Sequence, residues 1–304
     1  MNKFIIGISI IGVIIWGCIA RCFAADPLEI AIIKSNDITS YEEVLNGFKE
    51  EIAKQGFSVT YREFEKKSTL VQQIKEENPN LILALGTDAL TQVSQNLTDI
   101  PIVFSALLSP PEPLINKANV TGSLLDIPVK QQLEKLLATA PDVKVIGVIY
   151  HPETTEKKVQ EARRAAEEMG LVLESFPIQT IREIPMIKEM EIDALLVLPD
   201  PMVCSPSIIK HLLLKSFRSR IPVMGISPAY VKAGALLALA CDYQDIGRQS
   251  GEIAARIFSG TPPAEVPVSR PRASRLFLNL SIAKQIRLSI PEIIRAEAYQ
   301  VFGQ

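Results

Sequence analysis

Histidine is nearly absent from this chain: His151 and His211 are the only two in 304 residues. Neither has a second histidine or a cysteine at ligand spacing, so the sequence nominates no metal site. Recognised catalytic signatures are missing as well. There is no Gly-x-Ser-x-Gly elbow, no Walker A loop, no Gly-x-Gly-x-x-Gly fingerprint and no His-Glu-x-x-His. Nothing singles out a serine for a Ser–His–Asp triad. The chain is therefore expected to be no enzyme and to carry no cofactor. Charge of one sign is also lacking, with 32 Lys+Arg against 34 Asp+Glu and a net of −2. That balance leaves no electrostatic footprint for nucleic acid and no basic helix for a membrane surface. Arg270, Arg272 and Arg275 do cluster, but Pro271 among them makes a solvated loop the expectation.

What is present is a globular composition, 47% hydrophobic and 22% charged, in a chain long enough for two domains. Asn2-Lys3 opens the chain and residues 4–20 form an almost purely apolar run. Cys22-Phe23-Ala24 then follows as a signal-peptidase site. Residues 1–24 are read as a signal peptide that sends the protein to the periplasm. An uncleaved anchor, or a lipoprotein at Ile15-Trp16-Gly17-Cys18, stays open. The apolar run is 17 residues long, slightly short of the ~20 a spanning helix needs. Removing the signal leaves Cys204 and Cys241, read as two buried free thiols with pairing left open.

From residue 28 the chain alternates short apolar runs with amphipathic stretches, the rhythm of parallel βα units. Strands are expected at 28–33, 57–64, 81–85 and 100–104. Between the first two, Tyr41, Val44, Leu45, Phe48 and Ile52 line one helical face. The rhythm breaks at the prolines of 105–113 and restarts beyond Gly122, with strands expected at 143–149, 171–176, 193–198, 221–226 and 235–240. A helix is expected at 181–190, another at 246–259, and a strand–helix pair closes the chain. The fold class is thus α/β: two Rossmann-like lobes with parallel sheets joined by a hinge. One lobe is assigned residues 27–117 plus 241–262, the other 118–240 plus 263–304.

In open parallel sheets ligands sit beyond the C-terminal strand ends, and two facing lobes bring those ends into one cleft. The residues there are small and polar: Ser35 and Asn36; Gly86 and Thr87, opening a helix whose free N–H groups suit an anion; Ser105 and Ala106; Tyr150; Asp200; Ser227 and Tyr230; Asp242. These eleven are the candidate ligand contacts, with Asp200 or Asp242 suited to an amino group. The competing explanation is local, because Ser, Thr and Asp before helices commonly serve as N-caps.

Several segments resemble one family of bacterial ABC-transporter substrate-binding proteins, which includes tryptophan- and tyrosine-binding members and has the type I periplasmic binding protein fold. They include Leu85-Gly86-Thr87, Pro101-Ile102-Val103-Phe104, Asn119-Val120-Thr121-Gly122 and Ile221-Pro222-Val223-Met224-Gly225. Val231 through Leu236, Asp242-Tyr243, Ile246-Gly247-Arg248-Gln249 and Leu278-Asn279-Leu280 continue it. The resemblance spans essentially the whole mature chain. It implies a monomeric solute receptor that closes on a small molecule, such as an amino acid or related carboxylate, for a separately encoded permease and ATPase. A ligand sensor of the same fold feeding a membrane signalling receptor is the alternative. The loop after Phe104 and the first βα loop, which lacks a histidine often found there, depart from the family pattern, so the resemblance carries the class of function and not the ligand.

Overall fold

The computed structural model describes residues 27–108, 110–183 and 190–303. The expected signal peptide, with Cys18 and Cys22, lies outside the described residues. So does most of the helix expected at 181–190, of which Ile181–Glu183 is a single 3-10 turn.

The first half is a run of βα units: β1 (Leu28–Lys34), α1 (Thr39–Lys54), β2 (Val59–Phe64), α2 (Leu70–Glu77), β3 (Leu81–Leu85), α3 (Thr87–Ser94), β4 (Ile102–Leu107), α4 (Glu112–Ile115) and β5 (Val120–Leu124). The strands form a parallel sheet in the order β2-β1-β3-β4-β5. β3 and β4 are buried along their whole length, as continuous apolar runs in a two-sided parallel sheet should be. The α1 stripe Tyr41, Val44, Leu45, Phe48 and Ile52 packs into the core.

The chain then crosses at Leu125–Pro128 into a second array: α5 (Val129–Thr139), β6 (Val145–Tyr150), α6 (Pro152–Glu168), β7 (Val172–Pro177), β8 (Ala194–Leu196), α7 (Pro206–Ser219), β9 (Val223–Gly225), α8 (Pro228–Ala233) and β10 (Leu237–Cys241). It returns through Asp242 into α9 (Tyr243–Phe258), which packs on α1 and on the first sheet. A final crossing leads to β11 (Ser274–Asn279), α10 (Leu280–Ile286), α11 (Glu292–Glu297) and β12 (Gln300–Phe302). The second sheet has the order β12-β11-β10-β9-β8-β6-β7. It is parallel except where β11 runs against β10.

Two close approaches fix α9 on the first lobe. A Cβ on Gly47 would stand 2.0 Å from the Gln244 carbonyl oxygen, and one on Gly247 would stand 2.0 Å from that of Val44. Only glycine permits helix backbones to approach so closely.

Sheet membership moves the division between lobes. β5 pairs with β4, so the first sheet runs to Leu124 and does not end at residue 117. Residues after α9 also stay with it: the Thr121 hydroxyl donates to the Val266 carbonyl at 2.7 Å, and Leu124 N–H donates to the Ser269 carbonyl at 2.9 Å. The third crossing therefore falls near residue 270, well past 263. The cause is that β5 needs a neighbour on its open edge, and the strand-like 266–269 stretch supplies it.

The three arginines are not a free solvated loop. Arg270 pairs with Asp126 and Glu161, Arg272 with Asp245 and Glu252, and Arg275 with Asp242.

Candidate functional site

Beside the first two crossings, both lobes line a cleft of about 350 Å³. The first lobe contributes Glu43 near the start of α1, Leu108 just after β4, and Tyr243 at the start of α9. Leu125, Asp126 and Ile127 come from the first crossing, and Ala240 and Cys241 from the end of β10. From the second lobe come Pro199, Ile226, Ser227 and Pro228 beyond the ends of β8 and β9, with Leu239, Gln132, Arg275 and Phe277. The wall is thus mainly apolar and aromatic, with a few polar groups, as small-molecule sites are.

Leu108 is aimed by an irregularity in β4. The β4–β5 register shifts between Phe104 and Leu107, and Ala106 takes a left-handed φ of +62°. A bulge of this kind re-aims the residues after it, and Leu108 stands 49% exposed at the cleft.

The charged groups of the cleft differ in how they are matched. Asp126 lies 2.6 Å from Lys158 and 3.6 Å from Arg270. The Arg275 guanidinium donates to Asp242 at 2.8 Å and stacks 4.5 Å over the Tyr299 ring. Glu43, half-buried, makes no hydrogen bond or ion pair among the described residues. Burial pushes the Tyr243 phenol up, with help from Cys241, Glu43 and Tyr41. The Cys241 thiol donates to the Leu125 carbonyl at 3.0 Å, linking two crossings. Burial, then Asp126 and Asp242, push it up to about 12. Cys204 and Cys241 are both free.

Of the eleven strand-end candidates, Ser227 lines this cleft. Ser35 instead accepts from the Ala89 N–H of α3 at 3.0 Å. Gly86, at φ +89°, leaves room for Ser35 and the Tyr41 hydroxyl, and Asn36 and Thr87 face solvent. Ser105 is fully buried and bonded to Ser123 at 3.0 Å and Ser250 at 2.8 Å, so it ties β4 to β5 and α9. Ala106, on the bulge, packs into the core. The Tyr150 hydroxyl donates to Glu156 at 2.8 Å, and that of Tyr230 lies against the Cys204 carbonyl at 3.5 Å.

Asp200 is 1% exposed. One oxygen accepts from His151 N–H and the Thr155 hydroxyl, each at 2.7 Å; the other accepts from Met202 and Val203 N–H, each at 2.9 Å. Burial opposes its ionisation, yet these bonds hold the carboxyl below its usual range. Asp242 caps α9 through Gln244 and Asp245 N–H and gives its other oxygen to Arg275. Both aspartates proposed for an amino group are thus already satisfied by the protein. Ser35, Asp200 and Asp242 are each held by backbone donors, from Ala89 in α3, from His151, Met202 and Val203, and from Gln244 and Asp245, the local role that small polar residues before helices commonly take.

Glu43, Leu108, Gln132, Tyr243, Arg275 and Phe277 were not singled out from sequence as ligand contacts. Tyr243 carried a usable signal, since it follows an expected N-cap at a strand end. Among the described residues there is no group of His, Cys, Asp and Glu fit to hold a metal, and no helix long and apolar enough to cross a membrane.

Two α/β lobes joined by three crossings, with a cleft between them, define the class of periplasmic-binding-protein-like folds. The family model for ABC transporter substrate binding proteins matches residues 30–302, and the chain belongs to that family. A tyrosine-binding protein of Clostridioides difficile is 25% identical over 230 residues, covering 72% of this chain and 66% of that protein. The ligand-free, open structure of a substrate-binding protein with adhesive properties from Clostridium difficile superposes with a TM-score of 0.75 at 22% identity, over 91% of this chain and all of that one. An ABC domain in complex with L-Trp from Streptococcus pneumoniae does so with 0.63 at 24%, over the same shares.

Proposed function

We propose that this protein is the extracytoplasmic receptor of an ABC importer and encloses one small solute between its lobes by hinge closure. The observation that carries this reading is the 350 Å³ cleft lined by both lobes beside the first two crossings. Its volume lies in the range of small-molecule sites and suits a solute of amino-acid size. Closure about the crossings would bury the solute without remodelling either sheet. The curated tyrosine-binding relative supports an amino acid or a close analogue as the class to test first. Delivery to a separate permease and ATPase, export through residues 1–24, and a monomeric state belong to the same proposal.

The test is a thermal-shift screen of the protein lacking residues 1–24 against amino acids, amines, organic acids and small peptides. A solute at 100 times its dissociation constant adds about 2.7 kcal/mol, a rise of roughly 5 °C for a chain of this size. A flat response across the whole panel would overturn the receptor reading.

A further inference from the structure

Among the described residues, the cleft has one acidic side chain whose charge the protein does not match. Arg275 is the only cation on its wall among those residues, and it already faces Asp242 at 2.8 Å and stacks on Tyr299. Asp126 is matched by Lys158 and Arg270. Glu43 has no partner among the described residues and borders the same cavity as Tyr243, Leu108 and Phe277. While the cleft is open, water solvates the Glu43 carboxylate. When the lobes close, that water leaves, and an unpaired carboxylate against apolar walls becomes costly. A ligand carrying its own positive charge removes that cost. A ligand carrying only a carboxylate adds a second anion and finds no free protein cation. Tyr243 and Phe277 line the same cavity, and aromatic rings attract a cation on an apolar body for the same electrostatic reason.

Resting on the receptor reading above, we propose that the cleft selects a protonated primary amine on a compact apolar body, with Glu43 as its counter-ion. The ligand's ammonium is the required group and a carboxylate on it is dispensable. An amino acid then binds through its amine, and its carboxylate meets the hydroxyls of Ser227 and Tyr243 at most.

The experiment is calorimetric titration of the protein lacking residues 1–24 with three probes that share one aromatic body: 2-phenylethylamine, phenylalanine and 3-phenylpropionate. The full thermal-shift panel runs beside it. The two amines are expected to bind and 3-phenylpropionate is not. Glu43→Gln is expected to weaken amine binding at least tenfold. Its unfolding temperature without ligand should match the parent, since Glu43 holds nothing in the fold. Binding of 3-phenylpropionate, or of amines equally to Glu43→Gln, overturns the amine assignment. If the panel yields only acids or neutral solutes, the assignment falls and the receptor reading stands; if nothing binds, both fall.

Discussion

Replacing Asp200 by alanine separates the two roles that a strand-end aspartate can have. In the structure its carboxylate receives three backbone N–H groups, from His151, Met202 and Val203, and the hydroxyls of Thr155 and, at 3.4 Å, Thr154. Truncation orphans the three N–H groups in a place that is 1% exposed, while the two hydroxyls keep each other as partners. A buried donor left unpaired costs about 1–3 kcal/mol. Water entering the vacated space would recover part of this, so we expect a loss of about 3–5 kcal/mol in urea unfolding at pH 7. Against a typical total of roughly 5–15 kcal/mol, that is a severe defect. Asp200→Asn preserves the shape, but each carboxylate oxygen accepts from at least two donors, so the amide NH₂ must face donors; a loss of about 2 kcal/mol is expected. The pH dependence follows from the folded carboxyl lying below its usual range. Its stabilisation is complete above the unfolded value near ~3.9 and is lost as pH falls through the folded value. The gap between the parent and Asp200→Asn should therefore narrow below about pH 4. An Asp200→Ala variant within about 1 kcal/mol of the parent, with ligand affinity lowered tenfold, would refute the structural assignment and return Asp200 to the ligand.

Two further outcomes are expected. Gly247→Ala pushes a methyl toward the Val44 carbonyl oxygen at 2.0 Å and should lower stability by about 3 kcal/mol or more in thermal or urea unfolding; a change under about 0.5 kcal/mol would show that α1 and α9 separate freely. Cys241, pushed up to about 12 and bonded to the Leu125 carbonyl, should react with a thiol reagent at pH 8 on the order of a hundredfold more slowly than in the urea-unfolded chain. That rate is read in a Cys204→Ala background, and equal rates would mean that the second crossing is open to solvent.

Residues close in sequence made the fold readable. The apolar runs of β3 and β4 and the α1 stripe each contain their own periodicity, and each is buried as its pattern requires. The cleft lies beyond the ends of β8 and β9, where the strand-end rule looks for a ligand, but that rule does not say which polar residue there faces outward. A small polar side chain at a strand end has backbone donors of the following helix within reach, and Asp200 and Asp242 are held by them. The cleft wall is instead set by pairings distant in sequence. Arg275 reaches it because β11 runs antiparallel to β10, in a register that places Ala240 opposite Arg275 and Cys241 opposite Ser274. Strand direction is not written in an apolar run, so the start of β11 could not be placed beside the ends of its parallel neighbours. Leu108 depends on a bulge at Ala106 that no turn residue announces.

The arginine cluster ties the third crossing to the segments around it. Within six residues, Arg270 reaches Glu161 on α6 and Asp126 in the first crossing, Arg272 reaches Asp245 and Glu252 on α9, and Arg275 reaches Asp242 at the second crossing. The third crossing is thereby tied to both lobes and to the other two crossings at once. Arg270 and Arg272 are 47% and 48% exposed, while their partners Asp126 and Asp245 are 16% and 13% exposed, so solvent screens these pairs only in part. The Asp200 network has another character: it is buried and charge-assisted, and each carboxylate oxygen accepts from at least two donors. It lies within one lobe, joining the start of α6 to the loop after β8, where a moving part would be harmful. The ion pairs of Arg270, Arg272 and Arg275 thus link segments of both lobes, whereas the Asp200 network, built from backbone N–H groups and hydroxyls, holds together parts of one lobe.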